Sequence, residues 1–156
     1  MIIQFLSEMG ARVGINGSTI TVKKGKLKAI KVDFADVTDL LPTMGVLAAV
    51  AEGDSEFTGI ARTRLKESNR VSSLSEGLER MGIKVVEEQN RLVITGGTPK
   101  GAVIDTYNDH RNAMAFSILG ALAGNTVING AECVAKTYPD YWDMAKSLGM
   151  RLEEHE

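Results

Sequence analysis

"LSEMGARV" at residues 6–13 and "LERMGIKV" at residues 78–85 are one phrase written twice, 72 residues apart (78 − 6 = 72). A third occurrence, "SLGMRLEE", starts at residue 147. Self-similarity at a fixed spacing is the mark of a repeated supersecondary unit, and it orders everything else in the chain. In each phrase an apolar-periodic helix runs into Met-Gly or Leu-Gly, and glycine there suits a left-handed helix end. A hairpin follows. "ARVGINGSTITV" (11–22) predicts a turn at Asn16-Gly17, and "IKVVEEQNRLVIT" (83–95) predicts one near Gln89-Asn90. Then come a strand (29–33; 103–107), a helix, a short strand (56–59; 126–129), a loop and a closing helix. In the first copy Leu40, Met44, Leu47, Ala48 and Ala51 share the face of one helix, and Val71, Leu74, Leu78 and Met81 the face of the next. In the second copy the matching faces are Ala115, Ile118, Leu119 and Leu122, then Trp142, Ala145 and Leu148.

The fold class is therefore α/β (α+β), with a βαβαββ-like unit present twice. The boundaries read as a closing helix over 1–9, a first unit over 10–81, and a second unit with its tail over 82–156. The partial copies at both ends predict a closed or stacked arrangement with at least one further unit upstream.

Composition sets the outer limits. The chain has 156 residues, 44% of them hydrophobic, enough for a sizeable core. A net charge of -2 gives no basic field for nucleic acid or a membrane surface. No apolar run approaches the roughly 18 residues of a membrane-spanning helix. The single cysteine, Cys133, rules out an internal disulfide framework and fits a cytoplasmic location. There is no His pair, no CxxC and no carboxylate array with ligand spacing, so metal chemistry is disfavoured, and no Gly-rich phosphate loop occurs.

The repeat also isolates candidate functional residues. Laying "VDFADVTDLL" (32–41) on "IDTYNDHRNA" (104–113) puts Asp39 opposite Arg111, and "ARTRLKES" (61–68) on "AECVAKTY" (131–138) puts Lys66 opposite Lys136. The shared fold requires neither member of an unlike pair. All four lie in strand-to-helix connections, which gather at one end of an α/β unit. Arg70 and Arg111 stand in the first turns of helices, where a cation opposes the positive helix end. Two arginines and two lysines at such places suit an anion carrying phosphate and carboxylate together. Plainer alternatives stand beside this. Asp39, ahead of Pro42, serves equally well as a helix cap; Asp109 caps the helix after it; Lys66 and Glu67 fit a solvated loop feeding a cap at Ser68-Asn69. His110 is the one imidazole near the cluster, and His155 belongs to the tail.

Four motifs, "DLLP" (39–42), "LKESNR" (65–70), "YNDHRNAMAFS" (107–117) and "AKTYPDYW" (135–142), together resemble the EPSP synthase family over nearly the whole chain. The resemblance implies two of the three units of one domain in a two-domain enzyme of the enolpyruvyl transferase fold, the partner being a missing N-terminal domain of the same chain. It implies transfer of the enolpyruvyl group of phosphoenolpyruvate to the 5-hydroxyl of shikimate 3-phosphate, in aromatic amino-acid biosynthesis, without metal or organic cofactor. In that reading Asp39 takes the proton of the attacking hydroxyl, and Lys66 contacts shikimate 3-phosphate. Glu67, held partly protonated, protonates the methylene carbon of phosphoenolpyruvate. Arg70, Arg111 and Lys136 hold its phosphate and carboxylate, and His110 is a positioning hydrogen-bond donor. Arg62 stands where part of the family has an Asn substrate contact. UDP-N-acetylglucosamine enolpyruvyl transferase shares the fold and the chemistry, though "LKESNR" and "NDHRNAMAFS" favour the first family. A non-catalytic fragment or interaction module is the remaining alternative.

Overall fold

The three glycine-ended phrases form the same structure three times. In the computed structural model, which describes residues 1–154, Gly10, Gly82 and Gly149 all have positive φ (87°, 80° and 95°). Each closes its helix with paired turn bonds: Gly10 N to Ser7 O and Ala11 N to Leu6 O, Gly82 N to Glu79 O and Ile83 N to Leu78 O, Gly149 N to Lys146 O and Met150 N to Ala145 O. This doubled closure satisfies the last carbonyls of the helix, and only glycine enters it without a Cβ penalty. The repeat reaches into tertiary bonds as well. Lys28 N donates to Met9 O and Lys100 N to Met81 O, again 72 apart, and both methionines are fully buried. His155 lies outside the described residues, as does the last part of the unit drawn to 156.

The elements follow the predicted cycle. They run α1 (Ile2–Glu8), β1 (Arg12–Asn16), β2 (Thr19–Lys23), β3 (Lys31–Asp33), α2 (Leu41–Ala48), β4 (Asp54–Thr58), α3 (Arg70–Arg80), β5 (Lys84–Glu88) and β6 (Arg91–Thr95). They continue with β7 (Val103–Asp105), α4 (His110–Ala123), β8 (Val127–Asn129) and α5 (Tyr141–Ser147). Single 3-10 turns over Thr38–Leu40, Ala61–Leu65 and Ala131–Lys136 lie in the connections. The first hairpin turns one residue later than expected. Asn16 pairs with Thr19, so Gly17 and Ser18 connect the strands, with Gly17 at φ 57° in the first connecting position, where a primed turn wants glycine. The second turns at Gln89-Asn90 as read.

Strand pairing changes the phase of the unit. One sheet has the order β3-β4-β6-β5, with β3 and β4 parallel and β6 antiparallel to both β4 and β5. The hairpin β5-β6, assigned from sequence to the second unit at residue 82, thus completes the sheet of the first. The spatial βαβαββ unit runs from β3 to β6, and a cut at 81/82 separates a hairpin from the sheet it closes. A repeat fixes the period of a pattern but not where the spatial unit starts. The hairpin β1-β2 and the parallel pair β7-β8 are separate two-stranded sheets. Burial follows from this. Leu92 and Ile94 on β6 are fully buried, while their repeat counterparts Ile20 and Val22 on β2 are 55% and 56% exposed.

The helix faces were read well where they are amphipathic. On α3, Val71, Leu74, Leu78 and Met81 are all fully buried. On α4 the expected face is partly wrong: Ala115 and Leu119 are buried, but Ile118 and Leu122 are exposed, as is Leu148 after α5. Helix α4 is apolar almost all round, so periodicity could not choose its inner face. Packing chooses it through Phe116, whose ring lies over Gly77 of α3 so closely that a Cβ there would come within 2.3 Å of its Cζ. Met44 and Ala48 of α2, Leu74 of α3 and Phe116 of α4 belong to one core beneath the strand-to-helix connections.

Candidate active site

Four connections leave the C-terminal ends of the parallel strands. Those after β3, β4 and β8 carry Asp39, Lys66-Glu67 and Lys136, while the connections after β4 and β7 lead into Arg70 and His110-Arg111 in the first turns of α3 and α4. The structure brings them together. Asp39 is not a cap, since α2 begins after Leu40 without any side-chain cap bond. Its Oδ1 accepts from Arg70 Nη1 at 2.9 Å and lies 3.6 Å from Lys66 Nζ, and its Oδ2 accepts from Arg111 Nη2 at 3.3 Å. The two residues aligned by the repeat therefore touch. Glu67 Oε2 accepts from Arg70 Nη2 at 2.6 Å, and its Oε1 from Lys136 Nζ at 3.3 Å.

Arg70 is the centre of the cluster. It is the first residue of α3 and only 1% exposed. Its Nε donates to Asp109 Oδ2 at 2.7 Å, while its two Nη groups hold Asp39 and Glu67. Expected to face an external anion, it is instead turned to three carboxylates, because a guanidinium this deep needs its countercharge inside the fold. Asp109, fully buried, also caps α4 by accepting from Arg111 N at 3.0 Å and takes a bond from Ser68 Oγ at 3.0 Å. Asn112 supports it from the next turn, donating to Ser73 Oγ at 2.8 Å and Ser68 Oγ at 3.3 Å. Asn69 caps α3, as read, by accepting from Ser72 N. The clamp formed by Asp109, Ser68, Asn112 and Ser73 went unread in the sequence, whose only signal for it was the acid directly before His110-Arg111. The chain reaches Asp109 through Tyr107 and Asn108, both in the left-handed region at φ 52° and 55°. Such residues cost on the order of 1–3 kcal/mol each and cluster at functional sites.

The cations set the titration. Burial pushes Asp39 up, but Arg111, Arg70 and Lys66 overcome it and hold its carboxyl below the usual range. Glu67 is also held low, by its own backbone N–H first and then, against burial, by Arg70 and Lys136. Glu67, expected to be partly protonated, is thus held instead toward its carboxylate form, since the nearest charges are cations. Burial, with Arg111 and Arg70 nearby, pushes His110 below its ordinary value against the pull of Asp109 and Glu67. Among the described residues its Nδ1 is buried without a hydrogen-bond partner. With His110 neutral, Lys66, Arg70, Arg111 and Lys136 face Asp39, Glu67 and Asp109, which leaves one positive charge (4 − 3 = +1). Arg111 and Lys136 are respectively 37% and 59% exposed at the side chain, so this surplus charge lies at the open side of the cluster. Among the described residues no group of three or more His, Cys, Asp or Glu is placed to hold a metal ion.

Residues 1–144 match the family model described as EPSP synthase (3-phosphoshikimate 1-carboxyvinyltransferase). The chain belongs to the EPSP synthase family. It is 47% identical over 154 residues to a 3-phosphoshikimate 1-carboxyvinyltransferase of Dehalococcoides mccartyi, covering 99% of this chain and 37% of that protein. A relative of the same name from Methanosarcina acetivorans is 41% identical, with 99% and 36% covered. The EPSP synthase structure from Acinetobacter baumannii superposes with a TM-score of 0.84 at 31% identity, over 99% of this chain and 40% of that one. The enolpyruvyl transferase NikO from Streptomyces tendae, at TM-score 0.77 and 22% identity, shares the fold over 96% of this chain and 35% of its own. This member of the EPSP synthase family therefore spans little more than a third of the length of its curated relatives. No helix among the described residues is long and apolar enough to cross a membrane.

Proposed function

We propose that the longer protein to which this chain corresponds transfers the enolpyruvyl group of phosphoenolpyruvate to the 5-hydroxyl of shikimate 3-phosphate, and that this chain supplies one wall of the site. The observation that carries the reading is the convergence of four strand-to-helix connections on a cluster in which an ionised acid, Asp39, meets the half-exposed cation Arg111 and a second acid, Glu67, meets the exposed cation Lys136. Asp39 is the base. Its lowered pKa keeps it ionised at neutral pH, the form in which a base must stand. As that proton leaves, the oxygen bonds to C2 of phosphoenolpyruvate and the methylene carbon takes a proton from Glu67, giving a tetrahedral intermediate. Glu67, now a carboxylate, takes a proton back from the new methyl group as phosphate departs, which restores the double bond. Arg111 and Lys136 receive the phosphate and carboxylate; Lys66 lies toward shikimate 3-phosphate.

Glu67 must gain its proton when substrate arrives. An anion that draws Lys136 toward itself removes one of the cations holding Glu67 low and adds negative charge beside it, and both changes raise its pKa. Arg70 acts from below by holding both carboxylates, and His110, buried and uncharged, orients neighbouring groups. The work is that of a cytoplasmic enzyme whose other domain completes the cleft, so the 156-residue chain alone is inactive. Assays of the full-length protein with shikimate 3-phosphate, and with UDP-N-acetylglucosamine in its place, test the reading. Phosphate release with the first acceptor only is the expected result. Turnover with the amino sugar, or with neither, overturns it.

A further inference from the structure

We infer that Asp109 is a positioning residue whose buried carboxylate ties the start of α3 to the start of α4 and fixes the Arg70 guanidinium, so that one cation holds Glu67 and Asp39 in place at once. Four contacts define the tie. Oδ2 receives Arg70 Nε at 2.7 Å and Ser68 Oγ at 3.0 Å; Oδ1 receives Arg111 N at 3.0 Å and Arg70 Nη2 at 3.4 Å. With the Nε edge held, the planar fork presents Nη1 to Asp39 and Nη2 to Glu67. A cap alone does not explain this acid. Asn69 caps α3 with an amide, and capping asks only for a side-chain oxygen. Nor does the repeated unit require it. Subtracting the repeat offset (109 − 72 = 37) gives Val37, so the equivalent turn forms with no acid at that position. What requires a carboxylate here is Arg70, 1% exposed, beside an Asp109 that is fully buried.

The test is titration of the Glu67 and Asp39 carboxyl carbons by NMR in the 156-residue chain and in Asp109→Asn and Asp109→Ser, both of which keep a cap. The groups facing Glu67 are Arg70, Lys136 and Asp109; those facing Asp39 are Arg70, Arg111 and Lys66. If Asp109 acted only by its charge, its removal would shift the Glu67 midpoint down. If it positions Arg70, its removal frees the guanidinium, and both midpoints move up by about one unit. A downward or absent shift overturns the inference. A second measurement needs no variant: in the unaltered chain the Arg70 Nε–H should exchange with water far more slowly than that of the exposed Arg12. Equal rates overturn the inference even if the variants do not fold. A kinetic arm in the full-length protein rests on the enolpyruvyl-transfer reading: Asp109→Asn should lower kcat with little change in either KM, and unaltered turnover counts against the role. The NMR arm stands or falls without that reading, so the two failures are distinguishable.

Discussion

Arg70 and Arg111 were visible in the sequence as misfits, cations in first helical turns where the backbone is already positive. The structure resolves the misfit differently for each. Arg70 is neutralised from within by Asp109, Glu67 and Asp39, whereas Arg111 keeps one carboxylate partner, Asp39, at the open side of the cluster. Sequence could mark both arginines but not tell them apart, because burial depends on which connections end up side by side. Two outcomes follow at this scale. Asp109→Ala leaves a buried guanidinium without its one fully buried counter-ion and should destabilise by about 3–5 kcal/mol in urea denaturation. Asp39, Glu67 and Asp109 are all held below their ordinary values of 3.8, 4.5 and 3.8. Lowered carboxylate pKa values add stability that is fully present above those ordinary values and is lost as pH falls through the folded ones. Thermal unfolding should therefore decline gently below about pH 6.5, where His110, also held below its ordinary value, begins to protonate in the unfolded chain, and fall steeply below about 4 on account of the three acids, and Arg70→Gln should remove much of that acid slope. An acid limb of the same steepness in Arg70→Gln would show that these three acids are not the ones that matter.

Elements were legible where pattern and packing agree. The 3/4 spacing of α3 named its buried face, and Met-Gly marked helix ends that the backbone bonds reproduce. The miss on α4 has a physical origin. A helix apolar on most sides carries no directional signal, and its seat is set by the fit of Phe116 over Gly77. Gly77→Ala tests that fit. Alanine improves helix propensity by about 1 kcal/mol, yet its methyl would stand 2.3 Å from Phe116 Cζ. Overpacking costs about 1–3 kcal/mol, so net destabilisation is expected, with restoration on adding Phe116→Leu. A more stable Gly77→Ala chain in urea denaturation would mean that α3 and α4 do not meet in this way. The first hairpin is a smaller case of the same kind: its turn chemistry was read correctly, but its register slipped by one because Asn16 remains paired with Thr19.

At the scale of the whole molecule the repeat gave the period and the cycle of elements, while strand pairing, which no local pattern encodes, decided where the spatial unit begins. The consequence is an uneven chain. Hairpin β5-β6 sits within a four-stranded sheet, and its copy β1-β2 pairs only with itself. The amides of Ile20 and Val22 should therefore exchange with solvent much faster than those of Leu92 and Ile94, as a hydrogen-exchange experiment on the isolated chain would show; equal protection would mean that β1-β2 is covered. The site obeys the same logic. Four connections from two copies of one unit meet at one end, and there the copies differ at Asp39 and Arg111 while they agree at Lys66 and Lys136. The central claim is that this end receives the phosphate and carboxylate of phosphoenolpyruvate through Arg111. The direct measurement is steady-state kinetics of Arg111→Ala in the full-length protein, with each substrate varied in turn. Losing a charge-assisted hydrogen bond costs roughly 1.5–3 kcal/mol, about 10- to 150-fold. The expected result is a loss of that size in kcat/KM for phosphoenolpyruvate and a far smaller one for shikimate 3-phosphate; an unchanged dependence on phosphoenolpyruvate would leave Arg111 outside the site.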